Sequence, residues 1–311
     1  MEHIPVLYHE VLEGLQLRAN GRYIDGTVGA GGHTAGMLQT SGTTVLAFDK
    51  DPEAIAFASQ QLTHFGDRVH FVHASYAEMG QYAPQYGFDK ADGILLDLGL
   101  SSRQLADRQR GFSFMQEGPL DMRFNPTTGS TAADLINNLA AAELADLFWR
   151  YGEERQSRKL AQVIVDKRPF TTTTQLATCI AQTIRGNGRI HPATKIFQAL
   201  RIAVNDELQT VEKGLETAVS LLKPGGRLAV ISFHSLEDRL VKQYFRQLSQ
   251  NCVCPPQQLV CTCNARAIVR LVTRKAVQAS DAEIAANPRS RSARLRVAEK
   301  LAARSSTSGR S

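Results

Sequence analysis

Four short apolar runs in the first hundred residues alternate with helical segments, and three of them end on a carboxylate. Arg22-Tyr23-Ile24-Asp25 runs into a glycine-rich turn, and Thr44-Val45-Leu46-Ala47-Phe48-Asp49 stops at an aspartate. Val69-His70-Phe71-Val72 follows, and Gly93-Ile94-Leu95-Leu96-Asp97 again stops at an aspartate. After the second run, Asp51-Pro52 opens a helix, with Asp as N-cap and Pro in the first turn. Strands this apolar, separated by helices, predict an α/β domain whose parallel sheet is covered on both faces.

The next convincing strand, Arg227-Leu228-Ala229-Val230-Ile231, comes only after a Pro224-Gly225-Gly226 turn, 128 residues beyond Asp97. A crossover between parallel strands needs a few tens of residues, so about 90 residues are an insertion. The insertion reads as helical. Ser130 is placed to cap a helix through Leu135, Leu139, Leu144, Leu147 and Phe148; a second passes Leu160, Val163 and Ile164, and a third Leu176, Ile180 and Ile184. Its outer turns hold Arg103, Arg108, Arg110 and Arg123. The expected layout is a discontinuous α/β domain over 1–105 and 201–300, a helical domain over 106–200, and a disordered basic tail over 301–311. After the fifth strand, Ser235-Leu236-Glu237-Asp238 resembles a capping box, followed by Leu236, Leu240, Val241, Tyr244 and Leu248 at helical spacing. A strand over Ala267–Thr273 and the alternating Arg294–Ala298 are expected to pair at the sheet edge.

The net charge of +6 is unevenly placed. Asn287–Ser311 holds seven lysines and arginines against one glutamate, so the rest of the chain is neutral. Such an arm suits a polyanion, although a solvated tail would read the same way. No apolar run approaches the ~18 residues of a membrane span. The first residues lack the basic and apolar regions of a secretory signal, and five cysteines make no disulfide scaffold. These exclude membrane-spanning and disulfide-framework classes and lead us to expect a soluble, cytoplasmic protein.

The chemistry is concentrated at the strand ends. Asp25-Gly26-Thr27-Val28-Gly29-Ala30-Gly31-Gly32-His33 joins a strand to a helix, where glycines let a ligand approach the backbone. The dinucleotide fingerprint fails, because Thr34 stands where its third glycine belongs. An acidic residue before such glycines fits S-adenosylmethionine (SAM) better, with Thr27 in place of that motif's first glycine. Asp49, 24 residues after Asp25, is placed to accept two ribose hydroxyls. Asp97 ends the fourth strand beside the same crevice. Each aspartate could instead be a cap or turn residue.

At these residues the chain resembles the bacterial SAM-dependent methyltransferases that modify the exocyclic N4 of a cytosine in 16S ribosomal RNA. The resemblance rests on His3-Ile4-Pro5-Val6-Leu7, the Asp25–His33 loop and Gly93–Ser102. It also rests on Arg110–Phe114 with Gly118–Arg123, Tyr151–Arg155, His191–Thr194, Ser232–Arg239 and Asn287–Ser292. It implies a class I methyltransferase sheet with a helical insertion. It implies transfer of a methyl group from SAM to a cytosine of the decoding region, position 1402 of that RNA. The partner would be 16S rRNA or the small ribosomal subunit. By the same resemblance Gly31, Gly32 and His33 would contact SAM, and Asp49 would hold the ribose. Tyr76 would lie beside the adenine, while Asp97 and Gln104 would line the methyl-donor side.

An exocyclic amine conjugated with its ring is a poor nucleophile and needs a positioned hydrogen-bond acceptor. Asp97 is the best candidate, in Asp97-Leu98-Gly99-Leu100-Ser101-Ser102, which lacks the prolines and aromatic of a common amino-methyltransferase motif. Phe112, Phe114 and Phe233 are candidates to stack on the base, although core packing explains each. His234 could also take a proton, or make a turn hydrogen bond. Finally, Cys252, Cys254, Cys261 and Cys263 form two C-x-C pairs six residues apart, able to hold tetrahedral zinc or to form a reduced loop. Cys179 reads as a small buried residue. Two further functions fit less well: methylation of another RNA, a protein or a small molecule, and RNA binding without catalysis. The basic arm speaks against a protein or small-molecule substrate, and the intact aspartates speak against a non-catalytic role.

Overall fold

The computed structural model describes residues 5–184, 191–252, 254, 257–258, 260, 262–263 and 265–303. It divides into two compact units, 1–99 with 210–311, and 100–209. The helical unit thus starts at Leu100 rather than at 106, and runs to Gln209 rather than to 200.

In chain order the first unit begins with α1 (Tyr8–Leu15), β1 (Arg22–Asp25), α2 (Gly32–Leu38), β2 (Thr44–Asp49), α3 (Pro52–Gln61), β3 (Val69–His73), the short α4 (Met79–Tyr82) and β4 (Ala91–Asp97). Asp51 caps α3, its side chain accepting from Glu53 N at 3.0 Å, with Pro52 in the first turn. The second unit contains α5 (Ser102–Ala106), α6 (Ala132–Asn138), α7 (Ala141–Gly152), α8 (Ser157–Asp166), α9 (Thr173–Thr183) and α10 (Ala193–Asn205). The chain returns through α11 (Glu207–Leu221) to β5 (Leu222–Ser232), α12 (Ser235–Leu248), β6 (Val269–Leu271), α13 (Asp281–Ala286) and β7 (Arg294–Lys300).

The seven strands lie in the order β3-β2-β1-β4-β5-β7-β6. All neighbours are parallel except β7, which runs antiparallel to both β5 and β6. This is the class I methyltransferase sheet. Ile24, Leu46, Ile94, Leu96, Leu228 and Val230 fill one face of it, and Val45, Ala47, Leu95, Ala229, Ile231 and Val297 the other. Two buried faces explain why these strands read as continuous apolar runs. The helical unit has its own core, with Leu144, Phe148, Leu160, Ile164, Ile180 and Leu200 all fully buried.

Several expectations are corrected. The long helix expected through Leu135 and Phe148 is two helices, broken at Leu139-Ala140, and Thr131 rather than Ser130 caps the first. His234, not Ser235, is the N-cap of α12. Arg110 is buried, its guanidinium donating to the Arg123 and Phe124 carbonyls, and Arg123 is paired with Asp121 at 2.7 Å. Neither is an open cation. β5 begins at Leu222 and absorbs the Pro-Gly-Gly turn as an irregularity, the register jumping from Ala91–Leu222 to Gly93–Arg227.

The expected pairing of Arg294–Ala298 with the preceding strand is present, and it takes the centre of the basic arm into the sheet. That centre is β7, an interior strand, while the shorter β6 is the edge. Leu295, Val297 and Ala298 are each 1 % exposed. Arg296 pairs with Asp238 at 2.7 Å, and Lys300 Nζ donates to the Val219 carbonyl at 2.6 Å. Among the described residues of the arm, Arg289, Arg291 and Arg294 keep exposed side chains; residues 304–311, expected as disordered tail, lie outside the described residues. A chain ending after Ala293 is therefore expected to lose cooperative unfolding of the α/β unit, whereas one ending after Ala303 keeps it. Leu295→Ala alone should cost about 2–5 kcal/mol, as for buried Leu elsewhere. Urea titration followed by circular dichroism checks both, and a two-state transition in the shorter chain would show β7 to be dispensable.

Candidate functional site

The carboxyl ends of β1, β2 and β4 lie side by side, because β1 sits between the other two in parallel register. Ligands of open α/β sheets bind at such ends. The turn after β1 is held by a side-chain network. Asp25, 1 % exposed, accepts from Thr34 Oγ1 at 2.6 Å and Thr27 N at 3.1 Å. Thr27 Oγ1 in turn accepts from Asp97 N at 2.7 Å. Asp49 accepts from Gly29 N and from Asp51 N, both at 2.9 Å. One polar network thus joins the ends of β1 and β4, and Asp49 ties the loop to the end of β2.

The glycines are explained partly by packing. A Cβ on Gly32 would stand 2.4 Å from Pro5 Cγ. Gly31 has φ +85°, and its Cβ would meet Leu62 at 3.0 Å. The N-terminal segment thus lies against the loop, and the Val6 carbonyl accepts from His33 Nε2 at 3.0 Å. This turns His33 Nδ1 toward Asp97 Oδ2, 3.7 Å away. Tyr76 fits beside this loop: a Cβ on Gly26 would meet its Cβ at 2.8 Å, and one on Gly214 would meet its ring at 2.4 Å.

Burial sets the charge state of the three carboxyls. Desolvation pushes Asp25 and Asp49 up to about 6, against the hydrogen bonds that favour their charged forms. Asp97 is raised well above the ordinary carboxylate range, first by burial and then by the charges of Asp25 and Glu237. Its Oδ1 is buried and accepts no hydrogen bond among the described residues.

Sequence reasoning missed Thr27 and Thr34 as working residues. Their signal was present as two departures, a threonine where each glycine motif wanted glycine. Gln104 lies in the helical unit, its side chain closing a capping box with Ser101 at the start of α5. Phe112 is buried in the helical core and Phe114 packs on His191 and Phe197. Phe233 packs in the α/β unit against Gly99. His234 caps α12 beside Glu237. Cys179 is buried in α9. Cys252, Cys254 and Cys263 come together, while Cys261 lies outside the described residues.

The helical unit also carries an open cleft of about 830 Å³ between α7 and α8. Trp149, 57 % exposed, stands on one side, and Arg155, Arg158 and Lys159, all exposed, on the other. Its acidic residue, Asp146, is paired with Arg150 at 2.8 Å.

The profile of the MraW methylase family matches residues 1–301. The chain belongs to the MraW methylase family. It is 53 % identical over 307 residues to the ribosomal RNA small subunit methyltransferase H of Thermomicrobium roseum, covering 96 % of this chain and 94 % of that one. It is 50 % identical over 302 residues to the protein of the same name from Dehalococcoides mccartyi, with 96 % and 86 % covered. Among solved structures, an rRNA methylase from Streptococcus thermophilus aligns over 97 % of this chain and all of that one, at 13 % identity and TM-score 0.47.

SAM is the methyl donor that goes with this family and this sheet. The site fits it in two respects. Asp97 Oδ1 is a buried acceptor with no hydrogen-bond partner among the described residues. Gly29, at φ +51°, has a left-handed backbone that favours glycine, and a Cβ there would make only an ordinary contact with the Thr27 carbonyl at 3.9 Å.

Proposed function

We propose that this methylase transfers a methyl group from SAM to the exocyclic N4 of a cytosine in 16S rRNA, at position 1402 of the decoding region, in the cytoplasm. The observation that carries the reading is Asp97: a carboxylate at the end of β4 with a raised pKa and one buried oxygen that has no hydrogen-bond partner among the described residues. Bound SAM would supply an electrophilic methyl on a sulfonium, whose S–C bond breaks with its electron pair left on sulfur as a thioether. Asp97 would accept a hydrogen bond from the target amine, hold its lone pair toward that methyl, and take the proton as the new N–C bond forms. A protonated His33 would place a cationic Nδ1–H 3.7 Å from Asp97 Oδ2. Asp49 would accept the ribose hydroxyls, Gly31 and Gly32 would let the methionine end lie against the loop, and Tyr76 would flank the adenine. By the same resemblance, Gln104 would line the methyl-donor side. The 100–209 unit would serve as the substrate-recognition domain. The names of the relatives support ribosomal RNA as the substrate.

The test is nucleoside mass analysis of 16S rRNA from a strain lacking the gene. N4-methylation of one cytosine should vanish, return with the wild-type gene, and not return with Asp97→Asn. Unchanged rRNA would overturn the reading.

RNA contact is expected from exposed cations rather than from the whole C-terminal segment. Replacing Arg289, Arg291 and Arg294 by Gln should lower the log–log salt slope of RNA binding by about 2, at ~0.7 per phosphate contact on single strands. In the α7–α8 cleft, Trp149→Ala should weaken binding by about 1–3 kcal/mol, the worth of one stacked base. SAM affinity should be unchanged in both. An unaltered salt slope would remove the three arginines from the interface.

A further inference from the structure

Between α12 and β6 the chain makes a loop whose ends are pinned together. Ile268 N donates to the Leu248 carbonyl at 2.7 Å, and Ala267 N to Asn251 Oδ1 at 3.1 Å. None of the described residues from Asn251 to Arg266 is buried, and Val260 is 72 % exposed. A segment with no apolar core of its own needs a staple to hold one shape.

Three thiols converge inside it. The Sγ atoms of Cys252, Cys254 and Cys263 all lie within 4.8 Å of one another, and those of Cys252 and Cys263 are 3.9 Å apart. A disulfide would bring two sulfurs to about 2.05 Å, so no such bond joins this pair. The spacing matches another arrangement. Sulfurs held ~2.3 Å from one tetrahedral ion stand about 3.8 Å from each other. Ala265 N donates to Cys263 Sγ at 3.4 Å, a hydrogen bond that favours a thiolate. Cys252 and Cys254 stand two residues apart, and Cys263 meets them from further along the chain. We propose that Cys252, Cys254 and Cys263 bind a zinc ion as thiolates and so fix the loop between α12 and β6.

Thiolates select soft ions. Zinc brings no redox chemistry and no geometric preference of its own, which suits a structural staple. The fourth coordination position belongs to a ligand outside the three described thiols. Each thiol that binds gives its proton to solvent, so the site loads less well in acid. The assignment is independent of the proposed methyl transfer.

The full-length chain, expressed with zinc in the medium and dialysed, should carry about one zinc per molecule by elemental mass spectrometry. Cys252→Ser and Cys263→Ser should each lower zinc affinity at least tenfold while keeping the far-ultraviolet dichroism of the wild type. Cys179→Ser, in the core of α9, should keep the metal. Cobalt in place of zinc should show thiolate-to-metal charge-transfer absorption that both loop variants lose. A folded chain without metal at saturating zinc would overturn the site. So would a Cys252–Cys263 disulfide, zinc content indifferent to both loop substitutions, or copper or iron in place of zinc.

Discussion

Asp97→Asn is expected to slow methyl transfer by ~10²–10⁴, the range for a positioned proton acceptor. The substitution keeps the shape and one oxygen acceptor but removes the base. SAM binding should fall less than tenfold, because the ribose and methionine contacts are assigned to other residues. Asp97 lies well above the ordinary carboxylate range, through burial and then the charges of Asp25 and Glu237. Two consequences follow from the sign of that shift. A more basic carboxylate is a better acceptor for the amine proton, and it must be deprotonated to act. The single-turnover rate with saturating RNA should therefore rise with pH through the raised pKa, and that limb should disappear in Asp97→Asn. A wild-type rate in the variant would make Asp97 a structural cap of β4. A lower rate with the pH limb intact would place the titrating base elsewhere. His234, the alternative acceptor, is tied into the N-cap of α12, its Nδ1 accepting from Glu237 N.

The strand ends were legible because the sheet is buried on both faces, which writes each strand as a continuous apolar run. β1, β2 and β4 end on Asp25, Asp49 and Asp97, as the runs themselves do. What escaped was information held across the chain rather than along it. The alternation in β7 is visible, but nothing local tells an interior antiparallel strand from an edge one, and its arginines read as a polyanion-binding arm. Only the contact with α12 shows Arg296 paired with Asp238. Arg110 escaped for the same reason, since its partners are backbone carbonyls thirteen and fourteen residues away. Thr34 was legible as a broken motif but not as a donor to Asp25. Leu139 and Ala140 fit a continuous helix by spacing, yet both adopt extended backbone, and Glu143 closes the next cap by accepting from Ala140 N at 2.8 Å.

Asp49→Asn is expected to weaken SAM binding by about 1.5–3 kcal/mol, or roughly 10- to 100-fold, the loss of hydrogen bonds to a charged acceptor. Both carboxylate oxygens already accept a backbone N–H, from Gly29 and Asp51. An amide offers one oxygen in their place, so the loop itself loosens as well. The pH dependence separates the two effects. Asp49 and Asp25 are pushed up to about 6 in the folded chain by burial, against about 3.9 when unfolded. Between those values the folded state binds more protons than the unfolded state, so the contribution of these two groups to ligand-free stability is fully present below about pH 4 and is lost as pH rises through about 6. Asp92, Asp121 and Asp134 are shifted the other way and act below about pH 4, outside that window. Each raised group contributes at most about 3 kcal/mol across the window, less for Asp49, which keeps some exposure. Asp97 is raised in the same direction and contributes to the same fall, so removing Asp49 should flatten it by less than half. Ligand binding carries the opposite sign, because ribose hydroxyls need the charged form. Wild-type SAM affinity should weaken as pH drops from 7 to 5, and that of Asp49→Asn should stay nearly level. Calorimetric titration at three pH values, with urea melts of the ligand-free chain beside it, reads both. Equal pH dependence of SAM affinity in the two proteins would take Asp49 out of the cofactor site and leave it as the carboxylate that ties the Gly29 turn to β2.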